Sequence, residues 1–222
     1  MRVGVTIFPG SNCDRDALSA LQRVGAEPVE LWHADADLKD VDAVFVPGGF
    51  SYGDYLRPGA IARFSGVMGP LEDFARDGGP VIGVCNGFQV LTEAHLLPGA
   101  LLQNKSTRFI GSRTRVRVER TDTPWTAACE AGAELTLPIA HNEGNYYADA
   151  ETVARLEDAG RVVLRYLENP NGSVNDIAGV CSEGRNVVGI MPHPERASDA
   201  VLGSEDGVCI LRSILERAGA GV

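Results

Sequence analysis

The chain has 222 residues, of which 44% are hydrophobic and 23% charged, and its formal net charge at pH 7 is -10. This composition is ordinary for a globular protein with one large core, and it excludes a mainly disordered chain. The acidic charge, without a basic cluster interleaved with aromatic residues, disfavours nucleic acids and anionic membranes as partners. We therefore expect one domain over residues 1–222.

Cysteine usage and the start of the chain indicate the compartment. The five cysteines are Cys13, Cys85, Cys129, Cys181 and Cys209. Their odd number and wide spacing argue against a disulfide framework and against a structural zinc site. The sequence opens on a strand-like run without a secretory leader, and no apolar stretch approaches a membrane span. We predict a cytoplasmic, reduced protein whose thiols stay free.

Short β-branched runs alternate with amphipathic segments in the first half of the chain. The predicted elements are strand 3–8, helix 14–24, strand 28–32, strand 43–46, helix 65–76, strand 80–84 and helix 86–95. Strand-like runs follow near 113–120, 135–140, 161–167 and 187–191, with a last helix near 206–217. This order predicts an α/β fold with a mostly parallel central sheet flanked by helices, and with some antiparallel strands in the second half.

The most informative segment joins the predicted strand 80–84 to the helix that follows it. It reads Gly83-Val-Cys85-Asn-Gly87, which is the spacing of a nucleophile elbow, where flanking glycines avoid collisions between strand and helix. The helix N-terminus would direct N–H groups and a positive dipole end at the sulfur, favouring the thiolate. A lone cysteine is usually a small buried residue in a turn. At this spacing we predict that Cys85 is a nucleophile.

A thiolate nucleophile needs a proton carrier. His33 lies in an acidic loop and His95 near the end of the elbow helix, so we interpret both as surface or capping residues. His193 stands between two prolines after a strand, which keeps it out of helical geometry. Residues two apart in an extended segment project to the same side, so Glu195 can approach the ring. A Cys-His-Glu triad is therefore predicted, whereas the pair alone fits a solvated surface turn equally well.

Acyl transfer also needs donors for the oxyanion. The strand 43–46 is followed by Pro47-Gly48-Gly49, where the backbone can approach a ligand closely. One predicted donor is the N–H of Gly49 and the other is the N–H of Asn86, directly after the nucleophile. Taken alone, the glycine pair fits an ordinary tight turn.

These features occur in the order found in the triad-type (class I) glutamine amidotransferases: an oxyanion Gly-Gly, an elbow cysteine and a late His-x-Glu. The chain resembles that superfamily, and within it most resembles the glutaminase subunits of phosphoribosylformylglycinamidine synthase. The matching segments are 9–14, 48–57, 59–62, 83–89 and 191–196. The elbow Asn-Gly-Phe-Gln is among the most specific, because other members tend to carry Leu-Gly-x-Gln there.

The resemblance implies a flavodoxin-like domain and a role for each matching residue. Cys85 would be the nucleophile, His193 the acid and base, and Glu195 its orienting partner. Gln89, one turn into the elbow helix, would contact the bound glutamine. Ser51, Tyr52, Asp54 and Arg57 are assigned only to a loop near the site or near a partner interface.

The segment His141-Asn-Glu143-Gly144 corresponds to the place where the superfamily grips the amino-acid end of glutamine. The resemblance therefore implies that His141, Glu143 and Gly144 bind substrate. Asn142 replaces the glycine usual in this pattern. Asparagine adopts left-handed geometry more readily than other residues with side chains, so the turn can survive.

The implied reaction is hydrolysis of L-glutamine to glutamate and ammonia through a cysteine thioester. The ammonia would pass to a large ATP-dependent synthetase subunit that converts formylglycinamide ribonucleotide to formylglycinamidine ribonucleotide in purine biosynthesis. A small subunit would bridge the two. The expectation is that this chain holds no metal and no cofactor, because ATP and magnesium belong to the partner and no G-x-x-x-x-G-K-[ST] motif occurs here.

Two rival interpretations stay open on the residues alone. A cysteine-dependent α/β-hydrolase uses the same elbow, but its acid precedes the histidine, whereas Glu195 follows His193. A catalytically silent interaction subunit is the rival outside enzymology. The joint presence of Cys85 and the His-x-Glu segment argues against it.

Overall fold

The structure is a computed structural model that describes the backbone of residues 1–219 and the side chains of residues 1–216. Its centre is one nine-stranded sheet, and a two-stranded sheet lies apart from it. Buried apolar side chains from both halves of the chain form one cluster. A single domain over residues 1–222 remains a prediction, because the last three residues lie outside the described part.

The first part of the chain supplies the parallel half of the sheet. In chain order its elements are β1 (Arg2–Ile7), α1 (Asp14–Arg23), β2 (Glu27–Trp32), β3 (Ala43–Val46), α2 (Met68–Arg76), β4 (Val81–Val84) and α3 (Asn86–Glu93). Every residue of β3 and β4 is buried. Such continuous apolar runs are typical of parallel strands, because both faces of the sheet are covered there.

The second part supplies the antiparallel half. Its elements are β5 (Ala100–Leu102), β6 (Ile110–Val118), β7 (Glu134–His141), β8 (Asn145–Tyr147), α4 (Ala150–Asp158), β9 (Val162–Tyr166), β10 (Ile177–Cys181), β11 (Val187–Ile190) and α5 (Val208–Gly219). Buried residues alternate with more exposed ones along β7 and the second half of β6. This alternation is typical of strands with only one face on the core.

The strands of the large sheet lie in the order β2-β1-β3-β4-β11-β10-β9-β6-β7. Pairings from β2 to β11 are parallel, and those from β11 to β7 are antiparallel. The predicted fold class, with its antiparallel strands in the second half, is confirmed. As many strand pairings are antiparallel as parallel, whereas a mostly parallel sheet was predicted. The difference arises because strand β10, which was not predicted, pairs antiparallel with both β11 and β9.

Four elements had no sequence signal strong enough to predict them. Strands β5 and β8 have three residues each, which is too short for an alternation of apolar and polar residues to be recognised. Strand β10 contains Gly179, which weakens a strand pattern but is needed, since a Cβ there would lie 2.6 Å from the Ile190 side chain. Helix α4 buries only Val153 and Leu156.

Strand β7 ends the sheet order, yet its outer edge is covered. The Thr136 N–H donates to Asp206 Oδ2 at 2.7 Å, and the Pro138 carbonyl accepts from the His193 N–H at 2.8 Å. The segment after β11 therefore packs along β7 and brings this strand to the candidate site.

The carboxyl ends of β1, β3, β4 and β11 meet at one edge of the sheet. This edge is where ligands bind in open α/β sheets. The predicted nucleophile, glycine pair and histidine follow β4, β3 and β11 directly. No helix described within residues 1–219 is long and apolar enough to cross a membrane.

Candidate active site

Cys85 occupies the turn between β4 and α3. Its backbone has φ 53° and ψ -107°, a conformation rarely adopted by a residue with a side chain and typical of a strained elbow. Gly83 and Gly87 allow the strand and helix to approach: a Cβ on Gly83 would lie 2.6 Å from the Gly87 carbonyl oxygen. The turn thus has the geometry that the G-x-C-x-G spacing predicts, and Cys85 is 4% exposed.

His193 and Glu195 follow β11 and are both buried. His193 Nδ1 lies 2.6 Å from Glu195 Oε1, so the carboxylate holds the ring in place. The backbone that brings Glu195 to the His193 ring differs from the prediction. Residues 194–196 form a short 3-10 turn rather than an extended segment, and this turn brings the carboxylate to the ring. Pro194 opens the turn, where its fixed φ is suitable.

The surroundings of His193 favour its charged form. Burial opposes the charge, but the Glu195 carboxylate and the sulfur atoms of Cys85 and Cys13 outweigh it, so the pKa of the ring is raised well above its ordinary value. Its Nε2 atom is buried and has no partner among the described side chains. The Cys85 sulfur points instead to the Ala140 carbonyl oxygen at 3.6 Å. His193 thus holds a proton beside the Cys85 sulfur, as a departing amine requires.

A second thiol, that of Cys13, lies beside His193, and sequence reasoning missed it. Cys13 Sγ accepts a hydrogen bond from Arg196 at 3.1 Å. The donor atoms of Cys13, His193 and Glu195 lie within 4.8 Å of one another, a grouping with the donor types of a metal site. Glu195 is already bonded to His193, and the adjacent guanidinium repels a cation, so this grouping does not favour a metal.

Gly48 and Gly49 follow β3 and border the elbow. A Cβ on Gly48 would lie 2.6 Å from His193 Cε1 and 3.1 Å from Cys13 Sγ, so the site leaves no room for a side chain there. Gly49 has φ 140°, and its N–H donates to no acceptor in the described part of the chain. This free N–H is what an oxyanion donor requires, and the role of Gly49 stays a prediction.

The side chain of Asn86 joins the elbow helix to the loop after β3. Its Oδ1 accepts from the Ser51 N–H at 3.0 Å, and its Nδ2 donates to Asp54 at 3.2 Å and to Gln89 Oε1 at 2.9 Å. Gln89 in turn donates to the Glu143 carbonyl at 2.6 Å. Sequence reasoning assigned only the backbone N–H of Asn86 to the site. That N–H begins α3 and so lacks an intrahelical acceptor.

This network joins two residues with carboxylate side chains, Asp54 and Glu143. Burial, and next the negative charge of Glu143, raise the pKa of Asp54 to about 6, against the opposing effect of the Asn86 hydrogen bond. Both side chains are half-buried. Sequence reasoning placed Asp54 only in a loop near the site or interface, and the structure brings it to Glu143 and the elbow helix.

His141 and Gly144 are held by a residue that sequence reasoning missed, Asn104. His141 Nδ1 donates to Asn104 Oδ1 at 3.0 Å, and the Gly144 N–H donates to the same oxygen at 3.1 Å. Burial, and next the charge of His193, lower the pKa of His141 to about 4, so its ring is neutral near pH 7. A Cβ on Gly144 would collide with that ring. Their predicted contacts with substrate stay predictions.

The loop after β3 is clamped from inside. The Tyr52 hydroxyl lies 2.7 Å from His33 Nδ1, and both residues are half-buried. His33 is therefore not the free surface residue that its acidic neighbours predict. Arg57 is exposed and forms two hydrogen bonds of 2.6 Å with Glu93, at the end of α3.

Comparison with known proteins decides the family. The sequence matches the CobB/CobQ-like glutamine amidotransferase domain over residues 1–206. The chain belongs to this amidotransferase family. The matched range includes Cys85, the His193–Glu195 pair and the predicted oxyanion donors. The family expected from the motifs is thus confirmed.

Relatives of this amidotransferase share its full length. It is 79% identical to the phosphoribosylformylglycinamidine synthase subunit PurQ of Rubrobacter xylanophilus, with 100% of both chains covered. The PurQ of Trichormus variabilis is 54% identical, with 99% of each chain covered. Among solved structures, a chain of PurLQS from Thermotoga maritima is 46% identical, with a TM-score of 0.90 and 98% of each chain covered.

Proposed function

We propose that this amidotransferase is the glutaminase subunit of phosphoribosylformylglycinamidine synthase. It hydrolyses L-glutamine and delivers ammonia to an ATP-dependent synthetase, which converts formylglycinamide ribonucleotide to formylglycinamidine ribonucleotide in de novo purine biosynthesis. One observation carries the proposal: the Cys85 thiol lies in a strained elbow beside a buried His193–Glu195 pair, in a chain 79% identical to a PurQ subunit over its full length.

The first half-reaction forms a thioester. Cys85 attacks as the thiolate paired with protonated His193: its Sγ bonds to the side-chain amide carbon of glutamine, and the carbonyl electron pair moves to oxygen. The N–H groups of Gly49 and Asn86 stabilise that oxygen, and loss of one such donor typically costs about 10²–10³-fold in rate. The tetrahedral carbon then expels its nitrogen, which takes the proton from His193 and leaves as ammonia.

The second half-reaction releases glutamate. His193, now neutral, accepts a proton from water as the water oxygen attacks the thioester carbon. The carbon–sulfur bond breaks, and the electron pair returns to Cys85 as thiolate. Glu195 stabilises the imidazolium formed and holds the ring at its 2.6 Å contact throughout.

Two thiols flank His193, and the local backbone favours Cys85 as the nucleophile. Cys85 has the strained φ of an elbow and directly precedes the free N–H of Asn86. Cys13 has φ -105° and ψ 4°, so it lacks the positive φ of the elbow, and its sulfur accepts a hydrogen bond from Arg196 at 3.1 Å. The elbow conformation of Cys85, with its flanking glycines, is the arrangement typical of a nucleophile in acyl transfer.

The proposed substrate contacts are Gln89 on the elbow helix and the segment 141–144 beside it. Gln89 is one turn beyond Cys85 and so faces the same side of α3. Its bond to the Glu143 carbonyl connects it to the segment 141–144. We assign His141, Glu143 and Gly144 to this wall of the glutamine pocket.

The proposed partners are a large ATP-dependent synthetase subunit and a small bridging subunit, and the complex acts in the cytoplasm. Support comes from the match to a chain of the Thermotoga maritima PurLQS structure at 46% identity. ATP and magnesium are used by the large subunit. The exposed side of the loop after β3, with Tyr55 at 72% exposure and Arg57, is the proposed contact with it.

The nucleophile is tested by alkylation with a diazoketone analogue of glutamine, followed by peptide mass spectrometry. The label should fall on Cys85, and added glutamine should protect it. Cys85→Ser should abolish both labelling and glutamine hydrolysis while leaving the fold intact. Cys13→Ala is the matched control and should stay active, as should Cys181→Ala. Labelling at Cys13, or substantial hydrolysis by folded Cys85→Ser, would overturn the assignment.

The place of this chain in the complex is tested by reconstitution with the synthetase and the bridging subunit. The complex carrying Cys85→Ser should form the amidine product from ammonium salts but not from glutamine. Wild-type chain should support both. Failure of the wild-type chain to supply glutamine-derived nitrogen to this synthetase would reject the proposed function.

A further inference from the structure

Asp54 and Glu143 form an acid pair at the candidate site that the mechanism above does not use. Asp54 belongs to the loop after β3, and Glu143 to the segment between β7 and β8. Two side chains of α3 link them: Asn86 Nδ2 donates to Asp54 at 3.2 Å and to Gln89 Oε1 at 2.9 Å, and Gln89 Nε2 donates to the Glu143 carbonyl at 2.6 Å. The negative charge of Glu143 also helps to raise the pKa of Asp54. Two partly buried like charges are unfavourable, and either a bound proton or a nearby cation relieves that cost.

Protein cations do not neutralise this pair. Among residues 1–216, no Lys, Arg or His nitrogen forms an ion pair with either carboxylate. Their hydrogen-bond donors are neutral amides: Asn86 Nδ2 for Asp54 at 3.2 Å and Asn142 Nδ2 for Glu143 at 2.6 Å. The pair is thus arranged to receive a positive charge from outside the chain.

A second buried polar group beside the pair also lacks a partner. Ser51 is 2% exposed, and its Oγ has no hydrogen-bond partner among the described residues. Its N–H is bonded to the same Asn86 side chain that donates to Asp54. A buried hydroxyl left unbonded costs free energy unless a ligand completes it.

The acid pair lies a short distance from the nucleophile. Asn86 directly follows Cys85 and contacts Asp54, while Gln89, one turn later, contacts the Glu143 backbone. In glutamine a short aliphatic chain separates the reacting amide carbon from the α-ammonium. A glutamine attacked by Cys85 therefore places its only positive charge in the region of this acid pair.

We propose that Asp54 is a substrate-positioning residue that, together with Glu143, binds the α-ammonium group of glutamine. The inference rests on the proposed glutaminase function and extends it to substrate recognition. It makes the loop after β3 part of the glutamine pocket and gives the site a means of rejecting amides that lack an α-amino group.

The test compares L-glutamine with glutaramate, which keeps the amide and the carboxylate but lacks the amine. Asp54→Asn, which can still accept from Asn86, is assayed in complex with the synthetase. Its KM for glutamine should rise about ten- to hundredfold, the usual effect of losing one hydrogen bond to a charged group, with kcat changed much less. Its KM for glutaramate, or its Ki where turnover is too slow, should not change. Asp77→Asn, at an exposed position after α2, is the matched control.

The inference fails if Asp54→Asn leaves the KM for glutamine unchanged. It also fails if the KM values for glutamine and glutaramate rise in parallel, since Asp54 would then position the loop rather than bind the ammonium. These outcomes leave the proposed function intact, because that function fails only if the wild-type complex does not release ammonia from glutamine.

Discussion

Gly87 gives the sharpest test of the elbow, because helix propensity and packing predict opposite signs for its replacement. Gly87 lies in the first turn of α3, where alanine would normally stabilise a helix by up to about 1 kcal/mol. A Cβ there would collide with the Val46 carbonyl oxygen and lie 2.7 Å from its carbon and 3.2 Å from the Pro47 oxygen. These are backbone atoms and cannot rotate away.

The expected change in stability of Gly87→Ala is the overpacking cost less the gain in helix propensity. Overpacking costs typically about 1–3 kcal/mol, and collision with backbone atoms places the cost here in the upper part of that range, about 2–3 kcal/mol; after the propensity gain of about 1 kcal/mol the net loss is roughly 1–2 kcal/mol. For a chain of this size the loss corresponds to a fall in Tm of roughly 2–8 °C. The helix can relieve the collision only by moving away from β3. That movement displaces the Asn86 N–H, so glutamine hydrolysis should fall by at least about tenfold.

Gly69→Ala is the matched control. Gly69 also lies in the first turn of a helix, α2, and a Cβ there meets nothing within 4 Å apart from its chain neighbours. This variant should be as stable as wild type or more stable, with unchanged activity. Thermal unfolding and ammonia release measured on both variants test the reasoning. Equal Tm values for Gly87→Ala and Gly69→Ala would refute the tight contact between α3 and β3.

Three further predictions concern charge. Glu195→Gln should slow turnover less than His193→Ala, because glutamine can still accept from Nδ1, and the losses should not add in the double variant; additive losses would show independent roles. For Glu195→Gln, the basic limb of the pH profile of kcat/KM should move to lower pH, since removing the carboxylate charge lowers the pKa of His193. Arg57→Ala should weaken the partner-stimulated rate more than the basal rate, because it removes an exposed ion pair of the loop after β3; equal losses would exclude this route. The wild-type KM for glutamine should rise as pH falls through about 6, since protonation of Asp54, facing Glu143, removes negative charge, and a flat KM would contradict this.

The sequence predicted the parts of the fold whose residues repeat over several positions. Strands β3 and β4 are fully buried apolar runs, and α1 has a clear apolar stripe, so each gave a strong signal. Strand β10 is also fully buried, but its central Gly179 interrupts the pattern. The reason for that glycine, contact with Ile190 on the neighbouring strand, exists only in the assembled sheet.

Some residues of the candidate site could be predicted from the sequence, and others could not. Cys85 and the His193–Glu195 segment were predictable because glycine and proline fix the backbone next to them. Cys13 and Asn104 could not be found, since their positions depend on pairings between distant parts of the chain. The resemblance to known amidotransferases added the residues of segment 141–144. It did not indicate that Asn104 holds them in place.

The covering of β7 has a consequence for the behaviour of the whole protein in concentrated solution. An uncovered edge strand presents unpaired N–H and carbonyl groups on which another chain can add as an extra strand. Here Asp206 and the His193 backbone occupy that edge at Thr136 and Pro138. The segment that carries the histidine therefore also protects the chain against intermolecular strand addition, so substitutions that loosen it favour aggregation as well as loss of chemistry.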